Sequence, residues 1–258
     1  MSAFFTPEAL TALLTLTFLE IVLGIDNILF ISIVAGKLPE NKQSKATKIG
    51  LFLAMILRIL LLLGISWFIA MQSTLFEWNN ALIEAKISGQ SIVLFAGGLF
   101  LMYKSTKEIY EKVEHPDSDE LLPNAKVLSL SKAILQITLI NIVFSFDSIL
   151  TAVGMTNGLD NALWLMVVAV VISVVIMMLF ANAVGTFVAK HPSLQILGLS
   201  FLLLIGFMLL AEAAHLAHAE ILGQAIGNVP KGYLYFAISF SLLVEFINMK
   251  IRKNSPRK

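Results

Sequence analysis

Seven stretches of near-continuous apolar residues constrain this chain more than anything else in it. They lie at roughly 9–35, 49–71, 89–106, 129–153, 162–188, 194–213 and 233–250, and each is about as long as a helix must be to cross a bilayer. Pro39, Pro116, Pro123, Pro192 and Pro230 all fall between the runs, where helix breakers belong, while Pro7 precedes the first run and Pro256 lies in the tail. A chain with 58% hydrophobic and 14% charged residues, at a mean hydropathy of +0.87, has too little charge to clothe a soluble domain. The expectation is an all-α polytopic protein with seven transmembrane helices in a single membrane domain over 1–258, joined by short loops.

The basic residues orient the spans, because cytoplasmic loops are enriched in Lys and Arg. Alternate loops divide them very unevenly. One side receives fifteen, including Lys37 to Lys48, Lys104 to Lys132 and Lys250 to Lys258; the other receives only Lys86 and Lys231. This predicts an N-terminus outside and a C-terminus in the cytoplasm. Residues 1–36 contain no Lys or Arg, so the chain lacks the basic start of a cleaved signal and the first helix is expected to be retained. The stretch from Lys104 to Leu128 reads as a polar cytoplasmic connector, centred on about 107–128.

The first and fourth runs align at a constant offset of 121. Thr17 falls on Thr138, Glu20 on Asn141, Gly24 on Ser145, Asp26 on Asp147 and Asn27 on Ser148. A weaker echo links GLFLMYK from Gly98 to GFMLLAE from Gly206. Two three-helix repeats follow, about 9–106 and 129–213, with the seventh helix at about 233–250 unpaired. Three is odd, so the repeats run in opposite directions through the membrane, a construction common among secondary transporters.

Glu20, Asp26 and Asp147 lie at bilayer depth, where an ionised group costs about 2.5 to 3.5 kcal/mol on insertion scales. Arg58 is the only basic residue at bilayer depth, and one guanidinium cannot neutralise three carboxylates. A proton or a bound cation must supply the rest. The chain has no cysteine, so a metal would be held by oxygen or imidazole, and Asp26-Asn27 and Asp147-Ser148 offer a carboxylate beside a neutral oxygen, suited to Mn²⁺, Mg²⁺ or Ca²⁺. The candidate ligands are Glu20, Asp26, Asn27, Asn141, Asp147 and Ser148, with Arg58 and Glu245 as charge partner or relay. On a regular helix Glu20 and Asn27 share a face while Asp26 is turned roughly 120° away. A kink or unwound turn is therefore expected at Gly24 and Ser145.

Structural roles compete with these. Asp26 and Arg58 could form a buried ion pair, Asn27 and Asn141 could bridge helices, and Thr17, Thr138, Ser145 and Ser148 could bond back to their own helices. Further candidates are Asn248 one turn from Glu245, Glu212 at the end of the sixth run, and His215 with His218 in an outer loop; Gly97, Gly98 and Gly206 read as sites of close helix packing. No nucleophile elbow, HExxH or phosphate loop is present, so an enzyme is not expected, and no basic patch suits nucleic acid.

The segments LEIVLGIDNILFISIVAGKLP, FSFDSILTAVGM, GTFVAKHPS and PKGYLYFAISFSLLVEFIN together resemble the TerC family of bacterial integral membrane proteins, in its short form without the soluble domains of larger relatives. The resemblance implies a LysE-like superfamily transporter of the bacterial plasma (inner) membrane. It implies Mn²⁺ export as the activity, the ion being cargo with no prosthetic group, and acidic ligands in the first and fourth helices at Glu20, Asp26 and Asp147. The second repeat departs from the first in having Asn141 opposite Glu20. A LysE-like exporter of a small organic solute and a non-transporting membrane scaffold are the competing readings. The partners expected are the ion and the lipid bilayer, with room for a homo-oligomer or another membrane protein.

Overall fold

The computed structural model describes residues 6–64, 70–80, 83–114, 129–156, 161–227 and 229–254. Helices dominate: α1 (Pro7–Gly36), α2 (Glu40–Leu63), α3 (Gly89–Glu114), α4 (Leu130–Thr156), α5 (Ala162–Ala189), α6 (Pro192–Leu216) and α7 (Lys231–Asn254). Among the described residues α2, α5, α6 and the stretch Lys231–Arg252 of α7 are long and apolar enough to cross a membrane. Many large apolar side chains point away from any protein neighbour, with Leu14 at 71% exposure, Phe18 at 65% and Leu179 at 74%. Water would penalise such a surface, whereas hydrocarbon does not.

Local chemistry sets several helix ends. The Thr6 hydroxyl accepts from the Ala9 amide at 3.2 Å, and Pro7 takes the first helical position, where its missing N–H costs nothing. Ser88 and Ser91 cap the start of α3 reciprocally, each hydroxyl accepting the other residue's amide. Two helices run past their apolar runs: α2 begins at Glu40, nine residues before the expected span, and α3 continues to Glu114, into the segment expected to be connector. The rest of that connector, 115–128, lies outside the described residues.

The chain divides into two compact units, and neither coincides with a sequence half. The first holds α1, α2, α4 and α5. Here α1 packs chiefly on α5 and α2 chiefly on α4, with α2 also on α5 and α1 on α4. Small residues allow the approach. A Cβ at Gly24 would collide with the Met177 sulfur, one at Gly50 would lie 2.7 Å from Ile137, and one at Gly185 would lie 3.3 Å from the Ser32 hydroxyl.

The second unit holds α3, α6 and α7 with a small sheet. α3 and α6 lie against each other along their length. At their crossing the backbones nearly touch: a Cβ at Gly98 would sit 2.8 Å from the Gly206 carbonyl oxygen, and one at Gly206 would sit 3.0 Å from that of Gly98. The close packing expected of these glycines is therefore present. α7 packs only lightly, on α6.

The expectation of an all-helical chain missed the sheet. Strands β1 (Thr74–Asn79), β2 (Ile83–Ser88), β3 (Glu220–Ile221) and β4 (Gln224–Ala225) pair antiparallel in that order. Glu77 faces Lys86, and Ile83 faces Ile221. Period-two alternation puts Glu77, Glu84, Lys86 and Glu220 on one face and Phe76, Trp78, Ile83 and Ile221 on the other.

Gly98→Ala should destabilise the detergent-solubilised protein by about 1 to 3 kcal/mol, because the obstacle is backbone that cannot rotate away. Gly232→Ala, whose added methyl meets nothing within 4 Å, should leave the unfolding midpoint in place. Equal midpoints for the two variants would refute a backbone contact as the bond between α3 and α6.

Candidate ion site in the four-helix unit

Within the first unit the aligned positions of the internal repeat become two polar stripes. Thr17, Glu20, Gly24 and Asn27 are spaced by three, four and three residues along α1; Thr138, Asn141, Ser145 and Ser148 repeat that spacing along α4. Such spacing places each set on one helical face. Both stripes are turned inward: Glu20 is 5% exposed and Asn27 6%, while Asn141, Ser145 and Ser148 are likewise buried.

Arg58 of α2, 7% exposed, joins the stripes. Its Nη1 forms an ion pair with Glu20 Oε2 of α1, and its Nη2 donates to Ser148 Oγ of α4. Glu20 is thus a partner of Arg58, and the pairing with Asp26 that the sequence suggested lies outside the described residues. From Ser148 a ladder of bonds descends α4. Ser148 Oγ donates to the Ser145 carbonyl at 3.0 Å, Ser145 Oγ to the Asn141 carbonyl at 2.6 Å, and Asn141 Nδ2 to the Ile137 carbonyl at 2.9 Å. Asn141 therefore bonds back to its own helix rather than bridging to another through that nitrogen. Asn27 Oδ1, Thr17 Oγ1 and Thr138 Oγ1 are buried and have no hydrogen-bond partner among the described residues.

The unwound turn expected at Gly24 and Ser145 is not there. Both α1 and α4 are helical throughout. Gly24 serves instead as the gap into which Met177 of α5 fits. The side chains of Asp26 and Asp147 lie outside the described residues.

Two pockets flank the Arg58 guanidinium. One, toward the N-terminal end of α1, is lined by Leu16, Glu20, Leu62, Ala152 and Met166; the other, toward the C-terminal end of α1, is lined by Asn27, Met55, Asn141, Ser145 and Met177. Arg58 lines both. The first is filled, and the second has room for about one water-sized particle.

The other candidates belong to the second unit. Glu245 and Asn248 are half-buried on α7, and Glu245 Oε1 is buried without a hydrogen-bond partner among the described residues. Glu212 is half-buried near the end of α6. His215 and His218 are exposed, and His218 has left the helix with φ of 46°, so they do not share one helical turn as a metal pair would. No group of three or more His, Cys, Asp or Glu is assembled among the described residues. The sequence reading overlooked Glu108, which is 2% exposed on α3 and receives Lys104 Nζ at 2.7 Å. The signal was available in the four-residue spacing of Lys104, Glu108 and Lys112, with Lys112 Nζ donating to Gln195 Oε1 of α6 at 2.5 Å.

Glu20→Gln removes the carboxylate paired with Arg58 and should cost on the order of 3 to 5 kcal/mol, while the double variant Glu20→Gln/Arg58→Gln should cost clearly less than the two single losses added together. Unfolding of the purified variants in detergent gives the comparison; strict additivity would mean that the two groups do not act as a pair.

Comparison with known proteins places the chain in context. Residues 5–258 match the family described as "Integral membrane protein TerC family". A UPF0053 protein of Haemophilus influenzae is 43% identical over 247 residues, 96% of both chains. The UPF0053 inner membrane protein YgdQ of Escherichia coli is 43% identical over 250 residues, 97% of this chain and 96% of its own. The E. coli UPF0053 inner membrane protein YoaE is 40% identical over 251 residues, which is 97% of this chain but 45% of that longer protein. No solved structure matches.

Proposed function

The chain belongs to the TerC family of integral membrane proteins, and from that premise we propose that it exports divalent metal ions, Mn²⁺ foremost, by alternating access. The observation that carries the reading is the Arg58–Glu20 pair. Once these two charges cancel, the acids of α1 and α4 that remain at bilayer depth are Asp26 and Asp147, whose combined charge one dication balances. Asn27 adds a buried carbonyl oxygen without a hydrogen-bond partner among the described residues, and Asn141 lies across the same pocket. Glu20 and Ser148 complete the oxygen set and are held by Arg58 in this conformation. All-oxygen ligation suits a hard cation.

The size of the pocket favours an ion over an organic solute, since one water-sized space does not hold an amino acid. Arg58, the cation that would have to receive a solute carboxylate, is already engaged. Two inverted three-helix repeats fit the packing. Exchanging the halves turns the pair α1 with α5 into α4 with α2, and maps the pair α3 with α6 onto itself; these are the principal helix pairs within the two units. The relatives named as inner membrane proteins support the same location here; the uneven spread of Lys and Arg favours an N-terminus outside and a C-terminus in the cytoplasm, with α7 an addition to the repeats. The ion is cargo, and no chemical step is assigned to the protein.

Purified protein in liposomes should carry Mn²⁺ down a gradient, and Asp26→Asn and Asp147→Asn should each reduce the flux at least about tenfold at equal protein, the scale set by losing one charged ligand in a low-dielectric site. Cells carrying either variant should accumulate Mn²⁺ under metal stress. Unchanged flux in both would overturn the reading and favour a scaffold that does not transport.

A further inference from the structure

We propose that Arg58 is an internal gate, a tethered cation that closes the path between the two pockets and must leave Glu20 for an ion to pass. The inference deepens the transport reading and rests on it for direction, but its geometry stands by itself. Arg58 is the residue from α2 whose charge borders both pockets. Its guanidinium is anchored to α1 through Glu20 and to α4 through Ser148, so one side chain ties three helices across the polar seam. On one side of it Leu16, Leu62, Ala152 and Met166 close around Glu20 and leave no room for a water-sized particle; on the other, Asn27, Asn141 and Ser145 leave a polar pocket with room for a small particle.

Two physical consequences follow from that position. A cation arriving from the polar pocket meets a fixed positive charge in a medium of low dielectric constant, which repels it more strongly than water would allow. The same cation, once close enough to Glu20 to compete for it, supplies the charge that Arg58 supplied, so the carboxylate is never left bare and the exchange avoids the cost of a stranded ion. Arginine suits such a role because its guanidinium stays protonated and can release several partners together. The hydroxyl of Ser148 then loses its donor but keeps its own bond to the Ser145 carbonyl, which preserves α4 while the gate is open.

The chain contains no cysteine, so single cysteines can report the barrier in the full-length protein. Ala54→Cys marks the polar pocket. A membrane-impermeant methanethiosulfonate applied to intact spheroplasts should modify its thiol slowly. With Arg58→Gln added, the thiol of Ala54→Cys should react at least about tenfold faster from the same side, as removal of a fixed barrier requires; with Arg58→Lys it should stay slow. If Arg58→Gln fails to insert, Glu20→Gln/Arg58→Gln removes the gate without a net change of charge and should show the same acceleration. Reactivity of Ala54→Cys that is unchanged when the guanidinium is removed would overturn the gate. Because labelling needs no metal, a barrier found in a protein that carries no Mn²⁺ would sink the transport reading and leave the gate standing. Mn²⁺ flux with no change in labelling would do the reverse.

Discussion

A carboxylate and a guanidinium buried in a helix bundle must be paired, because neither can be hydrated there and each alone would cost several kcal/mol. The Arg58–Glu20 contact therefore fixes much else in the first unit. It sets the rotation of α1 and α2 about their axes, since both groups must face the seam. It turns the Asn27 face of α1 inward with Glu20, and through Ser148 it orients α4 so that Asn141 and Ser145 line the same seam. Small residues at Gly24, Gly50 and Gly185 then let the helices close around the pair.

The second unit solves a different problem. At their crossing its two main helices meet through backbone at Gly98 and Gly206 rather than through a charge pair. In lipid the hydrophobic effect gives no reason for two apolar helices to associate, and intimate van der Waals contact takes its place. The charged contacts between or along these helices lie near the C-terminal end of α3, where Glu108 meets Lys104 and Lys112 meets Gln195.

What the sequence made legible was what hydrocarbon forbids. Apolar runs long enough to span, with prolines between them, located the helices, and the polar register shared by the first and fourth runs located the buried stripes, because a polar group at that depth must face protein. That Glu20 pairs with Arg58 was not legible. Depth along the membrane leaves Glu20 and Asp26 both in reach, and whether Glu20 meets Arg58 depends on the rotation of α1, which packing on α5 and the Gly24–Met177 fit help decide. The same fit explains the absent unwound turn: a glycine in a polar stretch can serve a hinge or a close neighbour, and sequence alone does not distinguish them. The sheet escaped because strands of two and six residues beside membrane helices give little alternating signal, and the polar continuation of α3 to Glu114 escaped because apolarity marks where lipid begins, not where a helix stops.

The departure of the second repeat from the first also has a physical account. Under the proposed inversion, Arg58 of α2, which touches Glu20 and Ser148, corresponds in position to a residue of α5 lying near their repeat mates, Asn141 and Asn27. The residues of α5 that line that pocket with both of them are Val174 and Met177, and α5 contains no basic residue at all. A carboxylate at position 141 would find no counterion on α5, so the repeat without the cation has an amide where the other has an acid. Glu20 and Arg58 belong together, because hydrocarbon makes either one alone the more expensive state. The asymmetry leaves Glu20 closed by an ion pair on one side of Arg58, and on the other side Asn27, Asn141 and Ser145 around a space for a particle of atomic size.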